Sequence, residues 1–239
     1  MITLYYCPSP NVHKICIALE EMELPYALKP IDLSKNEHRD TSLLSGSSAG
    51  RLPVLADDDP ADGGEPLVTF ESGAILQYLG EKTGRFLPSD LRGRQKVVEW
   101  LFWQMGGLGP IGGQHWHFRA LADHFKNGAD TTYSENRYRN MWRSMLTRMD
   151  GRLAEAEYLG GDYSIADMAC FPWIEYMDPR TEYPGEFANV ERWTAAVAAR
   201  PAVQEAYRKA YAVDTGYERN EKGAAFYPMD GIGKYVVIV

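Results

Sequence analysis

The hydrophobic period of this chain changes once, near residue 90, and that change restricts the fold more than any single motif. Before it, strand-like and helix-like runs alternate. ITLYY (2–6) is β-branched and aromatic and stops at PSP, as a short buried strand does. Val12, Ile15, Cys16, Leu19 and Met22 then recur at helical spacing, with Lys14, Glu20 and Glu21 on the opposite side. YALKPID (26–32) alternates as a second strand, SLLS around residue 44 reads as a short helix, and RLPVLA is a strand opened by a proline. DPADGGEP is a turn-rich connection to the strand LVTF, which runs into the helical ESGAILQYLGEKTG. There Ala74, Ile75, Tyr78 and Leu79 share a face and Gly84 stops the helix. The order β-α-β-α-β-β-α predicts a small mixed sheet with helices on its faces. Beyond FLPSDLRGR only long amphipathic patterns remain, at 90–105, 131–158, 165–177, 187–199 and 202–211. The expected organisation is a domain over 1–86 and an all-helical domain over 87–239, divided near Pro88 to Arg92. The tail 213–239 ends in KYVVIV, either a late strand or an apolar segment packed on the body.

Composition narrows the function classes. The apolar share of 45% in 239 residues is enough for a real core. The net charge of -8 gives no bulk attraction to nucleic acid or anionic lipid, so an anionic ligand needs a local site. Residues 1–20 carry no basic cluster and their apolar stretch is broken by prolines, so they do not read as a signal peptide. No run approaches the roughly 20 apolar residues of a membrane helix. Cys7, Cys16 and Cys170 form no pair at zinc or CxxC spacing, from which a reducing, cytoplasmic setting and no metal are expected.

Four local patterns bear on chemistry. Pro53 sits where a proline can open a strand without losing a ladder hydrogen bond. A cis Leu52–Pro53 bond, a state of about 5 to 6% of X–Pro bonds, would turn the Leu52 backbone outward to pair with an extended peptide. Glu71-Ser72 marks the passage from LVTF into a helix, where free N–H groups and the helix dipole favour an anion, Ser72 adds a donor and Glu71 suits an ammonium. The pair therefore suits a free α-amino acid group; the alternative is a plain cap, with Ser72 capping and Glu71 solvated. Ser164 and Asp167 fit a capping box, a structural role. GGLGPIGGQHWHF holds His115 and His117 among aromatics, read as a glycine-rich helix break rather than a metal site.

Taken together, "RLPVL", "FESGAILQYL", the helical second half and "YSIADMA" resemble a cytosolic glutathione transferase, over nearly the whole chain to about residue 211. "SPNVHKICIALEE", "PADGGEPLVTFESGAILQYLGEKTG", "WLFWQMGGLGP" and "YLGGDYSIADMACFPW" are similar to the bacterial nu class, known for glutathione-dependent disulfide-bond reductase activity. The resemblance implies the GST fold, a thioredoxin-like β-α-β-α-β-β-α domain followed by a helical bundle, and glutathione as co-substrate. It also implies a homodimer. It places the γ-glutamyl end on Glu71 and Ser72 and the cysteinyl backbone on Leu52 before Pro53. Arg51 would help hold the peptide, and Arg137 would reach the site of the neighbouring subunit. Ser9-Pro10-Asn11 stands where the class has Thr-Pro-Asn, so Ser9 and Asn11 would donate to the thiolate and lower the thiol pKa. Two departures stand out. His38 replaces a glutamine and implies a pH-dependent contact to the glycyl end, and Cys7 replaces a small unreactive residue.

The expected enzyme activates the glutathione thiol and presents it to a disulfide. A second reading is glutathione-dependent cleavage of aryl ethers or conjugation of aromatic electrophiles, with Trp103, Trp116, Phe118, Trp173 and Tyr176 lining a pocket. A third is a non-catalytic glutathione-binding module. A catalytic Cys7, placed ahead of a helix N-terminus but without a resolving partner at Pro10, is the remaining alternative.

Overall fold

The computed structural model describes residues 1–121, 130–215, 218–219, 225–229 and 233–235. The chain divides into two compact units, Met1–Arg85 with Arg200–Val239, and Phe86–Ala199.

In the first unit, strand β1 (Ile2–Tyr6), helix α1 (Pro10–Glu21) and strand β2 (Tyr26–Pro30) form a βαβ crossover, with β1 and β2 parallel. Strands β3 (Val54–Asp57) and β4 (Leu67–Phe70) make an antiparallel hairpin, and helix α2 (Ser72–Thr83) follows, ended by Gly84 at φ 66°. The sheet order is β2-β1-β3-β4, a small mixed sheet as the alternation predicts. Leu4, Tyr6, Ile15, Leu19, Val54, Leu55, Ile75 and Leu79 form its core. Residues near 44 are not helical. Two 3₁₀ turns, Leu33–Lys35 and Glu37–Arg39, lead into hydrogen-bonded turns at 41–46. There the Asp40 carboxylate accepts from the Ser42 N–H and hydroxyl and Ser45 takes a left-handed φ of 52°, so local side-chain bonds displace the helix.

Helix α1 also departs from its pattern. Lys14 and Glu21, placed on the polar face by spacing, are buried, because α1 packs against both α2 and helix α9 (Pro201–Ala212). Glu21 accepts a bidentate pair from Arg200 at 2.5 and 2.8 Å, and Glu20 pairs with Lys209. The tail contributes three short antiparallel strands, Glu218–Arg219, Ala225–Met229 and Gly233–Tyr235; the end of KYVVIV, 236–239, lies outside the described residues.

The second unit is helical: α3 (Leu91–Trp103), a π-turn Gln104–Leu108, α4 (Gly109–Leu121), α5 (Thr132–Glu155), α6 (Ile165–Tyr176), the short α7 (Pro179–Glu182) and α8 (Ala188–Ala198). The glycine-rich segment is helical rather than a break. A Cβ at Gly112 would lie 3.0 and 3.1 Å from the Trp142 and Trp173 rings, so glycine there lets two indoles close on the α4 backbone. The capping box forms as read, and its carboxylate does more than cap. Asp167 accepts from the N–H groups of Ser164 and Leu159 at 3.0 Å, from Trp193 Nε1–H at 2.8 Å and from the Ser164 hydroxyl.

Candidate functional site

The register of the first unit's sheet gathers the sequence-read residues at one edge. Tyr5 lies opposite Val54, Val54 opposite Phe70, and Tyr6 beside Pro30. The outgoing ends of β1, β2 and β4 and the incoming end of β3 therefore share that edge. Each carries at least one candidate: β1 leads to Ser9, β2 to the loop holding His38, β3 is entered from Arg51, Leu52 and Pro53, and β4 leads to Glu71 and Ser72. From β1 across β3 to β4 is two strand spacings, about 10 Å, the span of an extended peptide of about three residues.

Ser9 caps α1. Its side chain accepts from the Val12 N–H at 3.4 Å, and its carbonyl accepts from the N–H groups of Val12 and His13. An accepting hydroxyl keeps its proton to donate elsewhere, which is the polarity a thiolate needs. Asn11 stands in the first turn of α1 and is partly exposed. Cys7, one residue from the end of β1, is 2% exposed and its thiol belongs to the core. Cys16 is also buried, and burial, with Glu20 adding to it, drives that thiol far above its ordinary value. Neither is exposed as a reactive cysteine must be.

The Leu52–Pro53 bond is cis, with both residues buried and Arg51 exposed beside them. Glu71 is the N-cap residue of α2, yet its side chain makes no cap bond; Ser72 is the first helical residue. A simple Ser72 cap is thus not what forms. Glu71 holds φ 68° and ψ 114°, a conformation costly for any residue with a side chain, at the junction where an amino acid group would bind. Behind Ser72 the structure adds a residue that helical spacing hid: Lys14, 1% exposed, donates from Nζ to the Ser72 hydroxyl at 3.1 Å. His38 is partly buried, and burial, then the neighbouring Arg39 charge, lowers its pKa, so the imidazole is neutral at pH 7. Arg137 is exposed on α5, in the other unit.

The second unit holds the aromatic residues. Trp173 is core, 3% exposed and packed on the α4 glycines. Trp103, Trp116, Phe118 and Tyr176 are only partly buried; the Trp116 and Tyr176 rings lie 6.3 Å apart, and Phe118 stacks on Tyr138. His115 bonds to Glu182 at 2.7 Å, and Arg119 and Arg139 converge on the same carboxylate, an ionic cluster joined across 67 positions. No metal-binding group of His, Cys, Asp or Glu occurs among the described residues, and none of their helices is long and apolar enough to cross a membrane.

Comparison with known proteins gives a consistent result. The family model described as Glutathione S-transferase, N-terminal domain matches residues 1–81, and its C-terminal counterpart matches residues 133–209. The chain is 42% identical over 222 residues, 92% of its own length and all of the relative's, to the disulfide-bond oxidoreductase YfcG of Escherichia coli (strain K12). It is 32% identical to YghU of the same strain, a second disulfide-bond oxidoreductase, covering 85% of this chain and 73% of that protein. Among solved structures, a glutathione transferase from Pseudomonas putida with one glutathione disulfide bound per subunit has a TM-score of 0.76 at 36% identity, covering 86% of this chain and 90% of that one. A glutathione transferase family member from Pseudomonas fluorescens pf-5, with two glutathione bound, has a TM-score of 0.78 at 35% identity, covering 86% and 91%.

Proposed function

The chain belongs to the glutathione S-transferase family, and on that premise we propose that it is a glutathione-dependent disulfide-bond reductase. The observation that carries this is the sheet edge, where Ser9, Leu52–Pro53 and Glu71-Ser72 stand across a tripeptide's span while the adjacent Cys7 is buried. The reactive sulfur therefore comes with the ligand.

Glutathione lies along that edge with its γ-glutamyl group on Glu71 and Ser72 and its cysteinyl backbone at Leu52. Arg51 and His38 flank the peptide. The Ser9 hydroxyl and Asn11 amide donate to the sulfur, which favours the thiolate over the thiol. The thiolate attacks one sulfur of the disulfide, forms a new S–S bond and expels the other sulfur as a thiolate. A second glutathione thiolate then attacks the mixed disulfide, releasing glutathione disulfide and the second substrate thiolate. No protein cysteine is consumed. The two glutathione molecules bound to the Pseudomonas fluorescens relative support a site roomy enough for both. The enzyme acts as a cytoplasmic homodimer in which Arg137 reaches across to the neighbouring site. The absence of disulfides among its three buried cysteines suits a reducing compartment.

The partly buried aromatics of the second unit keep cleavage of an aryl ether as the competing reading. The test incubates protein and glutathione with bis(2-hydroxyethyl) disulfide, following glutathione disulfide through a glutathione reductase couple, and in parallel with a β-aryl ether ketone. Disulfide turnover is the expected result. Ether cleavage alone would overturn it, and glutathione binding without turnover of either substrate would favour a non-catalytic module.

A further inference from the structure

We infer, on the glutathione reading above, that Tyr5 is a positioning residue for ligand binding. Through Ser45 it staples the connection that carries His38 to the sheet, so that the ligand meets a segment already in place.

The chain leaves β2 at Pro30 and re-enters the sheet at Val54. Connections in compact domains are mostly about 4–6 residues long, and one of this length stays in place only where something holds it. Its first part is tied down by the Ile31 N–H, which donates to the Tyr6 carbonyl at 2.9 Å, and by the tail strand Ala225–Met229, which lies beside Leu33–Lys35. The part after His38 is held from the sheet by side chains. Tyr5 of β1 and Ser45 share a hydrogen bond between their hydroxyls. Lys29 of β2 donates from Nζ to the Leu43 carbonyl at 3.0 Å, with its ammonium 5.0 Å from the centre of the Tyr5 ring. Leu44, between the two contacts, is fully buried.

Two unfavourable features show that this segment needs the staple. His38 Nδ1 is buried with no hydrogen-bond partner among the described residues, and Ser45 holds a left-handed φ of 52°, a region that favours glycine. Both would be relieved if residues 38–45 swung outward, and the contacts from Tyr5 and Lys29 oppose that motion. Tyr5 is itself 3% exposed, in a place that a phenylalanine would fill with no hydroxyl to satisfy. The one group a phenylalanine lacks is the one that reaches Ser45. Ser45 stands seven positions after His38 and six before Arg51, the two residues that flank the peptide. A segment fixed before binding need not be ordered by the ligand, and its affinity is not diluted by open states.

The test is calorimetry on wild type, Tyr5→Phe, Ser45→Ala and the double variant, with glutathione and with γ-glutamylcysteine, which lacks the glycyl residue assigned to His38. Tyr5→Phe keeps the ring in the core, and Ser45→Ala changes an exposed position while keeping the Cβ and with it the backbone preference. Each single variant should raise the Kd for glutathione by about two- to tenfold, the range of one hydrogen bond, and lower the preference for glutathione over γ-glutamylcysteine by a similar factor. The double variant should fall no further than either single one, since both remove the same bond. Disulfide-reductase kcat at saturating glutathione should stay within about twofold while KM rises, because the staple acts on binding and not on the sulfur. An unchanged preference, additive losses in the double variant, or a lower kcat at unchanged KM would overturn the inference. Wild type that binds neither ligand would instead refute the glutathione reading itself.

Discussion

Replacing Asp167 by alanine tests how far one buried carboxylate holds the helical unit together. Three N–H donors, from Leu159, Ser164 and Trp193, point at it, and the Ser164 hydroxyl makes a fourth bond. The hydroxyl can turn elsewhere; the N–H groups cannot. Leaving three buried donors unpaired costs about 2 kcal/mol each, some 6 kcal/mol together. Against this, burial pushes the Asp167 carboxyl up from its ordinary 3.8 to about 6, the four donors opposing that rise. Holding it ionised at pH 7 thus costs the folded state about 3 kcal/mol, which alanine relieves. The net loss at pH 7 is about 3 kcal/mol, above the roughly 0.5 to 2 kcal/mol of an ordinary cap. The pH dependence has a definite sign. A folded-state pKa above the unfolded one gives stability that is full below about pH 4 and is lost by about pH 6, so the wild-type advantage should grow as pH falls through that window. Urea melts of both proteins at pH 7.5, 5.5 and 4.5 measure it. A loss under about 1 kcal/mol at pH 7.5, or an advantage that shrinks in acid, would refute the reasoning.

Two further outcomes follow from the site. Cys7→Ala should keep disulfide-reductase turnover within about twofold of wild type, whereas Ser9→Ala, which removes a donor to the thiolate, should lower kcat by about tenfold or more; steady-state kinetics at saturating glutathione decide, and a collapse in Cys7→Ala alone would restore the cysteine mechanism. Glu71→Gly should separate stability from binding. Relief of the strained φ outweighs glycine's entropy and raises stability by about 1 kcal/mol, while loss of the carboxylate weakens glutathione about tenfold. A thermal melt and a titration that both decline would show that Glu71 is not strained as described.

Local features were readable before any tertiary contact was known. The βαβ start and hairpin were visible in the change of period, the Ser164–Asp167 box in its spacing and the α2 stop in Gly84, because each depends on residues within a few positions of one another. The helix read near residue 44 failed on equally local grounds, since Asp40 offers the backbone a competing set of bonds. The periodicity of 202–211 showed a helix without showing that α9 packs on α1.

By itself the sequence marked Pro53 and Glu71-Ser72 as suited to a peptide backbone and an amino acid group, from side-chain chemistry and the ends of elements, and marked Ser9 and Asn11 for a thiolate through the family resemblance alone. Only the tertiary structure decided that these residues share one end of the sheet. Strand register, fixed by non-local pairing such as Tyr5 with Val54 and Val54 with Phe70, brings Ser9, Pro53 and Ser72 to one edge. It also decided the fate of Lys14. Helical spacing separates a polar from an apolar face but cannot say how many faces neighbours will cover; with α2 and α9 both packed on α1, a lysine on the polar face becomes a buried charge aimed at Ser72.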